Sequence, residues 1–148
     1  MQAKRGFTLV EILIVVVILG ILAAIIIPQF TQASTEARLT SLMSDLQTLR
    51  SQIELYKVQH NDTPPAAGTF ADQMVYCSDI AGAVASPASK QRDATHQFGP
   101  YLERVPENPF NGLDTLGAAG TTDNSVGWGY NATTGEIHAA DSAAHAAL

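Results

Sequence analysis

An unbroken apolar segment near the amino terminus limits what this chain can fold into more than any other feature. It follows Phe7-Thr8-Leu9-Val10-Glu11 and continues over residues 12–27 without a polar side chain. A helix over residues 7–27 would span roughly 31 Å at about 1.5 Å per residue, close to the thickness of the hydrocarbon core of a bilayer. The sequence therefore predicts a membrane-spanning helix.

The charges around this segment predict its orientation. Lys4 and Arg5 precede it, and the next basic residue is Arg38. Because basic residues are retained on the cytoplasmic side, we expect a cytoplasmic amino terminus and a soluble part on the other side of the membrane.

Two other interpretations of the apolar segment fit less well. The buried helix of a soluble protein is usually shorter and less uniformly apolar. A secretory signal peptide has an apolar region of about 7–15 residues that ends in a small-residue cleavage site. Here the segment is longer, and a carboxylate lies near its start.

Glu11 is the unusual residue of the segment, because a charge in the bilayer interior costs about 2.5–3.5 kcal/mol on insertion scales. One partner for it is Arg5, whose side chain could extend back along the helix. The other is a new ammonium group at Phe7, created if the chain is cut after Gly6. An ammonium on a neighbouring chain would neutralise Glu11 only when the two subunits are correctly staggered, so Glu11 would set the register of a filament.

The segment Lys4-Arg5-Gly6-Phe7-Thr8-Leu9-Val10-Glu11 resembles the cleavage and methylation signature of type IV prepilins and pseudopilins. The resemblance implies that a prepilin peptidase cuts between Gly6 and Phe7 and that Phe7 is N-methylated. It also implies that Glu11 pairs with the Phe7 amine of an adjacent subunit.

Helical periodicity continues beyond the apolar segment. Gly and Pro are absent from residues 29–63, and the breakers Asn61-Asp62-Thr63-Pro64-Pro65 predict a helix end near His60. The apolar residues of this part of the helix form a stripe on one face. One explanation of the stripe is a coiled-coil seam, although it extends over fewer than three heptads. We favour a core face against which the rest of the chain packs. The stripe comprises Leu39, Leu42, Leu46, Leu49, Ile53 and Tyr56.

Gly20 and Pro28 are two weak points in the same helix. Proline cannot donate a hydrogen bond to the carbonyl four residues earlier, and glycine has more freedom in the unfolded state. One interpretation is a static kink where the helix leaves the membrane. The other, suggested by the family resemblance, is local melting of the helix between the two residues during filament assembly.

The remainder of the chain predicts short elements that share a core with the long helix. We expect a short helix over residues 70–77, strands over residues 126–130 and 136–139, and a hairpin loop between the strands. Trp128, Tyr130 and Ile137 are expected to cover the apolar stripe, and residues 140–148 to be frayed. The predicted fold class is α+β and type IV pilin-like, with a long amino-terminal helix packed on a small antiparallel sheet.

This organisation divides the chain into four parts. The resemblance implies that residues 1–6 are the cleaved leader and residues 7–30 the transmembrane and polymerisation helix. Residues 31–62 form the soluble amphipathic half of the helix, and residues 63–148 form the carboxyl-terminal globular domain.

A second resemblance lies in the globular part. The stretch Tyr101-Leu102-Glu103-Arg104-Val105-Pro106-Glu107-Asn108-Pro109-Phe110 is similar to a segment of the major pseudopilins of type II secretion. In that family a later loop holds calcium, and the resemblance implies that Asp114, Asp123 and Asn124 are its ligands. Calcium prefers such oxygen ligands, although loops rich in Asp, Gly and Thr are also ordinary solvated turns.

Several classes of function are not expected. The net charge is -6, which disfavours general attraction to nucleic acid. The single cysteine, Cys77, cannot form an intrachain disulfide. The four histidines have no metal-like spacing, and no catalytic grouping is evident, so an enzyme is not expected.

Three functions remain. The first is a structural subunit of a type II secretion pseudopilus that drives protein export. The second is a type IV pilin for adhesion, twitching motility or DNA uptake, and the third is a membrane-anchored periplasmic binding domain that never polymerises. The expected partners are other copies of the chain, a prepilin peptidase, an inner-membrane assembly platform, minor pseudopilins and the lipid bilayer. The expected location is the bacterial inner membrane, with a single pass and a periplasmic carboxyl-terminal domain.

Overall fold

A computed structural model describes residues 6–148, and its longest element is the helix α1, Leu9–Gln59. The helix ends where the sequence predicts, because Asn61 and Asp62 take positive φ values of 54° and 61° and Pro64 follows. Residues 1–5, which carry Lys4, Arg5 and nearly all of the predicted leader, lie outside the described residues.

The chain divides into two compact units, Met1–Ala37 and Arg38–Leu148. In the first unit, the described side chains are exposed, including every large apolar side chain from Leu9 to Ile27. Within residues 6–148, α1 is the one helix long and apolar enough to cross a membrane.

The second unit contains the end of α1 and six short elements. A single 3₁₀ turn, Ala67–Thr69, leads into helix α2, Phe70–Val75. The strands β1, Leu116–Ala118, β2, Trp128–Tyr130, and β3, Ile137–Ala139, form one sheet in that order. Helix α3, Ala143–Ala146, follows the last strand. The α+β pilin-like fold class predicted from the sequence is confirmed.

The sheet is mixed, so the prediction of an antiparallel sheet is wrong for one strand. β2 and β3 pair antiparallel, with Trp128 opposite Ala139, and the predicted hairpin loop joins them. β1 pairs parallel to β2, with Leu116 opposite Trp128. The sequence gives no strand signal at β1, since Leu-Gly-Ala contains neither β-branched nor aromatic residues.

The core lies between one face of α1 and the sheet. Five residues of the predicted stripe are at most 2% exposed, and Leu39 is half-buried at the edge of the cluster. Trp128, Tyr130 and Ile137 belong to the same cluster, as expected. The buried stripe residues are Leu42, Leu46, Leu49, Ile53 and Tyr56.

The polar atoms of two buried aromatic residues, Trp128 and Tyr130, have hydrogen-bond partners. The indole nitrogen of Trp128 donates to the Pro106 carbonyl at 2.8 Å, and the Tyr130 hydroxyl donates to the Pro65 carbonyl at 2.8 Å. These bonds remove the desolvation cost of burying the two groups, and they connect the strands to loops far away in sequence.

The last residues are more ordered than the sequence predicts. The Ser142 hydroxyl accepts from the backbone of His145 at the start of α3. Arg50 of α1 donates to the carbonyls of Ile137 and Leu148 at 3.2 and 3.1 Å. The prediction of a frayed end is therefore wrong. Contacts with residues far away in sequence order this segment, and local sequence patterns do not reveal such contacts.

The stripe can be tested by the same substitution at two positions of α1. Leu49 is fully buried, whereas Leu55 is 43% exposed. Leu49→Ala should lower the free energy of unfolding by about 2–5 kcal/mol, because it removes core contacts and leaves a cavity. Denaturant titration followed by the fluorescence of Trp128 measures this change, and Leu55→Ala is the control. Equal losses at both positions would contradict the assignment of the core face.

Candidate assembly site

The first turn of α1 fixes the position of Glu11. The backbone nitrogen and the hydroxyl of Thr8 both donate to Glu11 Oε2, at 2.7 and 2.8 Å. The backbone nitrogen of Glu11 in turn donates to the Thr8 hydroxyl at 3.2 Å. This reciprocal arrangement is a capping box, which satisfies amide groups that the helix itself leaves without partners.

Thr8 is a partner for Glu11 that our sequence interpretation missed. The pattern Thr-x-x-Glu before an apolar segment is the signal that could have revealed it. The alternative partner Arg5 lies outside the described residues. Within residues 6–148, the hydrogen bonds of the Glu11 carboxylate to Thr8 all end on Oε2. The geometry thus offers the second oxygen, Oε1, to a donor from another molecule.

Gly6 and Phe7 lie in irregular backbone just before this cap. Phe7 is 83% exposed, and a Cβ atom added to Gly6 would meet no other atom within 4 Å. The fold itself therefore places no steric limit on the residue at position 6. A requirement for glycine there would come from an enzyme that binds this segment.

The apolar side chains that follow are exposed in the single chain. Ile12, Val17 and Ile27 are 51%, 52% and 63% exposed, and their neighbours are similar. So large an apolar surface is stable only in a lipid bilayer or against other apolar surfaces.

Gly20 and Pro28 both lie inside α1. A Cβ atom at Gly20 would meet nothing within 4 Å, so packing in the single chain does not require glycine there. Beyond Pro28, the hydroxyls of Thr31 and Thr35 donate to the backbone carbonyls four residues earlier, at 3.1 and 3.0 Å. Opening of this segment in a filament stays a prediction.

The predicted calcium ligands Asp114 and Asp123 have different local contacts. Asp123 Oδ1 accepts from the backbone and the hydroxyl of Ser125 at 3.1 and 2.5 Å, and these bonds lower the pKa of the Asp123 carboxyl. Asp114 lines a cavity beside α2 whose lining includes neither Asp123 nor Asn124. Among residues 6–148, no group of three or more His, Cys, Asp or Glu side chains could hold a metal ion. Calcium needs six to eight oxygen ligands, which these carboxylates alone do not supply, and calcium binding here stays a prediction.

A different set of polar side chains near the carboxyl terminus is closely connected. Asn108, which is fully buried, donates from Nδ2 to the Gly127 carbonyl at 3.0 Å and to Asp141 Oδ1 at 2.9 Å. The other oxygen of Asp141 lies 2.5 Å from Nδ1 of His145, whose ring contacts Phe110. We refer to Asn108, Asp141 and His145 as the carboxyl-terminal network. The sequence interpretation missed it, because its members are far apart in the chain.

The electrostatics of Asp141 follow from this network. Burial raises the pKa of its carboxyl, but the hydrogen bonds from Asn108 and His145 outweigh that effect and the net change is downward. A carboxyl with a lowered pKa in the folded state stabilises the fold at neutral pH, and this contribution is lost as the pH falls through the lowered pKa.

Comparison with known proteins supports the resemblance seen at the amino terminus. Residues 1–27 match the family model described as the prokaryotic N-terminal methylation motif. The type II secretion system core protein G of Klebsiella pneumoniae is 29% identical over 110 residues, which cover 74% of this chain and 71% of that protein. No solved structure is significantly similar to the chain.

Two further relatives extend the similarity over nearly their whole length. The core protein G of Aeromonas hydrophila is 28% identical over 149 aligned residues, covering 86% of this chain and 96% of the relative. That of Escherichia coli K12 is 25% identical over 143 residues, covering 85% and 92%. The likeness thus includes the globular part as well as the motif around Gly6, Phe7 and Glu11. The chain thus carries the N-terminal methylation motif and is similar, over most of its length, to the type II secretion system core protein G of these bacteria.

Proposed function

We propose that this chain is the major structural subunit of a type II secretion pseudopilus, in which α1 packs against α1 of other copies. The observation that carries the proposal is the exposed apolar surface of Leu9 to Ile27, with a capped carboxylate at Glu11 near its start. The chain is a structural protein and not an enzyme. Its work is mechanical, since extension of the filament pushes secreted proteins outward.

Before assembly, the bilayer covers the apolar residues of α1. The chain is stored in the bacterial inner membrane with a cytoplasmic amino terminus and a periplasmic globular part. A prepilin peptidase cuts between Gly6 and Phe7 and exposes the amine of Phe7. The inner-membrane assembly platform and minor pseudopilins then act on the processed subunit.

The role proposed for Glu11 is to fix the register between subunits. The ammonium of a neighbour's Phe7 would be placed at Glu11 Oε1, while Thr8 continues to donate to Oε2. In an apolar filament core the attraction between opposite charges is stronger than in water. A misplaced subunit would leave both charges unpaired, and that penalty would select the correct stagger.

Processing can be tested at Gly6. Gly6→Leu should block cleavage and leave the leader attached, because the fold tolerates a side chain there but the peptidase would not. Mass spectrometry of the membrane protein reads the amino terminus directly. Gly68→Leu is the control, since a Cβ atom at that glycine also meets nothing within 4 Å. A mature amino terminus at Phe7 in the Gly6 variant would refute the assignment of the cleavage site.

Assembly can be tested at Glu11 by a change that retains the cap. Glu11→Gln can still accept from Thr8, but it has no charge to pair with an ammonium. We expect normal insertion and cleavage and a loss of filaments, measured as the sheared fraction relative to processed protein in the membrane. Glu103→Gln is the control, because the Glu103 side chain is 92% exposed. Wild-type filament yield from Glu11→Gln would remove the register mechanism.

The opening of α1 between Gly20 and Pro28 is tested by hydrogen exchange on assembled filaments. Amides over residues 20–28 should exchange faster there than in subunits held in detergent, because a melted segment lacks helical hydrogen bonds. Residues 42–53, which carry the buried face, should stay protected in both samples. Full protection of residues 20–28 in the filament would show that the helix stays closed.

A further inference from the structure

The loop between β1 and β2, residues 119–127, is attached to the end of the chain by backbone hydrogen bonds. Ala140, which is fully buried, donates to the Gly127 carbonyl at 3.1 Å and accepts from the Asn124 backbone at 3.0 Å. Both bonds hold only while Ala140 stays beside the loop. The next residue, Asp141, is therefore in a position to control the loop.

The carboxyl-terminal network keeps Asp141 in that position. Asn108 bonds to Asp141 and to the Gly127 carbonyl with the same amide nitrogen, so one side chain joins the loop to the terminal segment. Its oxygen accepts from the Phe110 backbone at 2.9 Å, which fixes the orientation of the amide. The Asp141 side chain is 6% exposed, and His145 from α3 supplies its second hydrogen bond.

The turn after Asn108 adds a second attachment to the same loop. The Asn111 amide donates to the Val126 carbonyl at 2.8 Å, and its oxygen accepts from the Leu113 backbone at 3.0 Å. The backbone nitrogens of Gly127 and Trp128 both donate to the Thr115 carbonyl. Side-chain and backbone groups of the protein thus form hydrogen bonds with Val126 and Gly127 at the end of the loop, close in sequence to the predicted ligands Asp123 and Asn124.

We propose that the carboxyl-terminal network, and not a bound cation, holds the loop of residues 119–127 in place, so that this globular part folds without calcium. Asp123, one of the three predicted ligands, already uses Oδ1 of its carboxylate to close its own turn with Ser125. The network supplies from side chains the connection between loop and terminus that a cation would otherwise make. Loss of the network should loosen the loop, whatever the calcium concentration.

The experiment measures thermal unfolding of the full chain in detergent through Trp128, the only tryptophan in the sequence. Millimolar calcium chloride and excess chelator should give the same Tm, because a cation with no site on the folded state does not stabilise it. His145→Ala should lower Tm by about 5 °C under both conditions, because it removes a hydrogen bond to a charged, poorly exposed group.

A matched control is His96→Ala. His96 also pairs with an aspartate, Asp93, but the side chain of that partner is 55% exposed, so removing the pair should change Tm little. Hydrogen exchange adds a local measurement. The amides of Asn124 and Ala140 should exchange faster in His145→Ala and at the wild-type rate in His96→Ala.

Two results would overturn the proposal. One is a rise in Tm with calcium that Asp123→Asn abolishes, which would restore a cation site in the loop. The other is an equal effect of the two histidine variants on Tm and exchange, which would remove any special role of the network. Asp141→Asn, which can still accept from Asn108, provides a milder variant if His145→Ala does not fold.

Discussion

Five side chains on one face of α1, from Leu42 to Tyr56, are withdrawn from water by residues that follow much later in the sequence. Burying each contributes about 1.5–3 kcal/mol, so the face contributes on the order of 10 kcal/mol, comparable to the net stability of a typical domain. The strands have three residues each and would not be stable without this support. The sheet, the hairpin and the terminal helix of the second unit therefore depend on the buried face of α1.

The first unit differs from the second, because its apolar side chains are not buried by other parts of the described chain. From residue 6 onward its apolar side chains are exposed in the single chain, and such residues, which would destabilise a soluble protein, suit a bilayer or a filament core. Glu11 is compatible with such surroundings because Thr8 already satisfies one of its oxygens. The chain thus joins a unit with a buried core to a helical segment with exposed apolar side chains.

The sequence predicted the parts of this protein whose signals are local or periodic. The stripe from Leu39 to Tyr56 has a helical period, and the helix end follows from the breakers after His60. The hairpin between β2 and β3 was also evident from its aromatic strand and its turn residues. Strand β1 could not be predicted, because Leu116-Gly117-Ala118 becomes a strand only through its contact with β2.

For the candidate sites too, compact sequence patterns were predicted and groupings of distant residues were not. Gly6, Phe7 and Glu11 were found because their pattern is compact, and Thr8 could have been found for the same reason. Asn108, Asp141 and His145 are separated by up to 37 positions, and only the folded chain brings them together. The predicted calcium ligands rested on the family resemblance and on residue type, and neither could show the bond between Asp123 Oδ1 and the Ser125 hydroxyl.

The use of a single carboxylate oxygen by the helix cap has a kinetic consequence. Because Thr8 bonds only to Oε2 of Glu11, an incoming amine that takes Oε1 would not have to displace Thr8. A subunit could then join a growing fibre without first unwinding its own first turn. Addition would gain an ion pair with no bond broken beforehand, so the barrier to growth would come from leaving the lipid and not from rearranging the helix end.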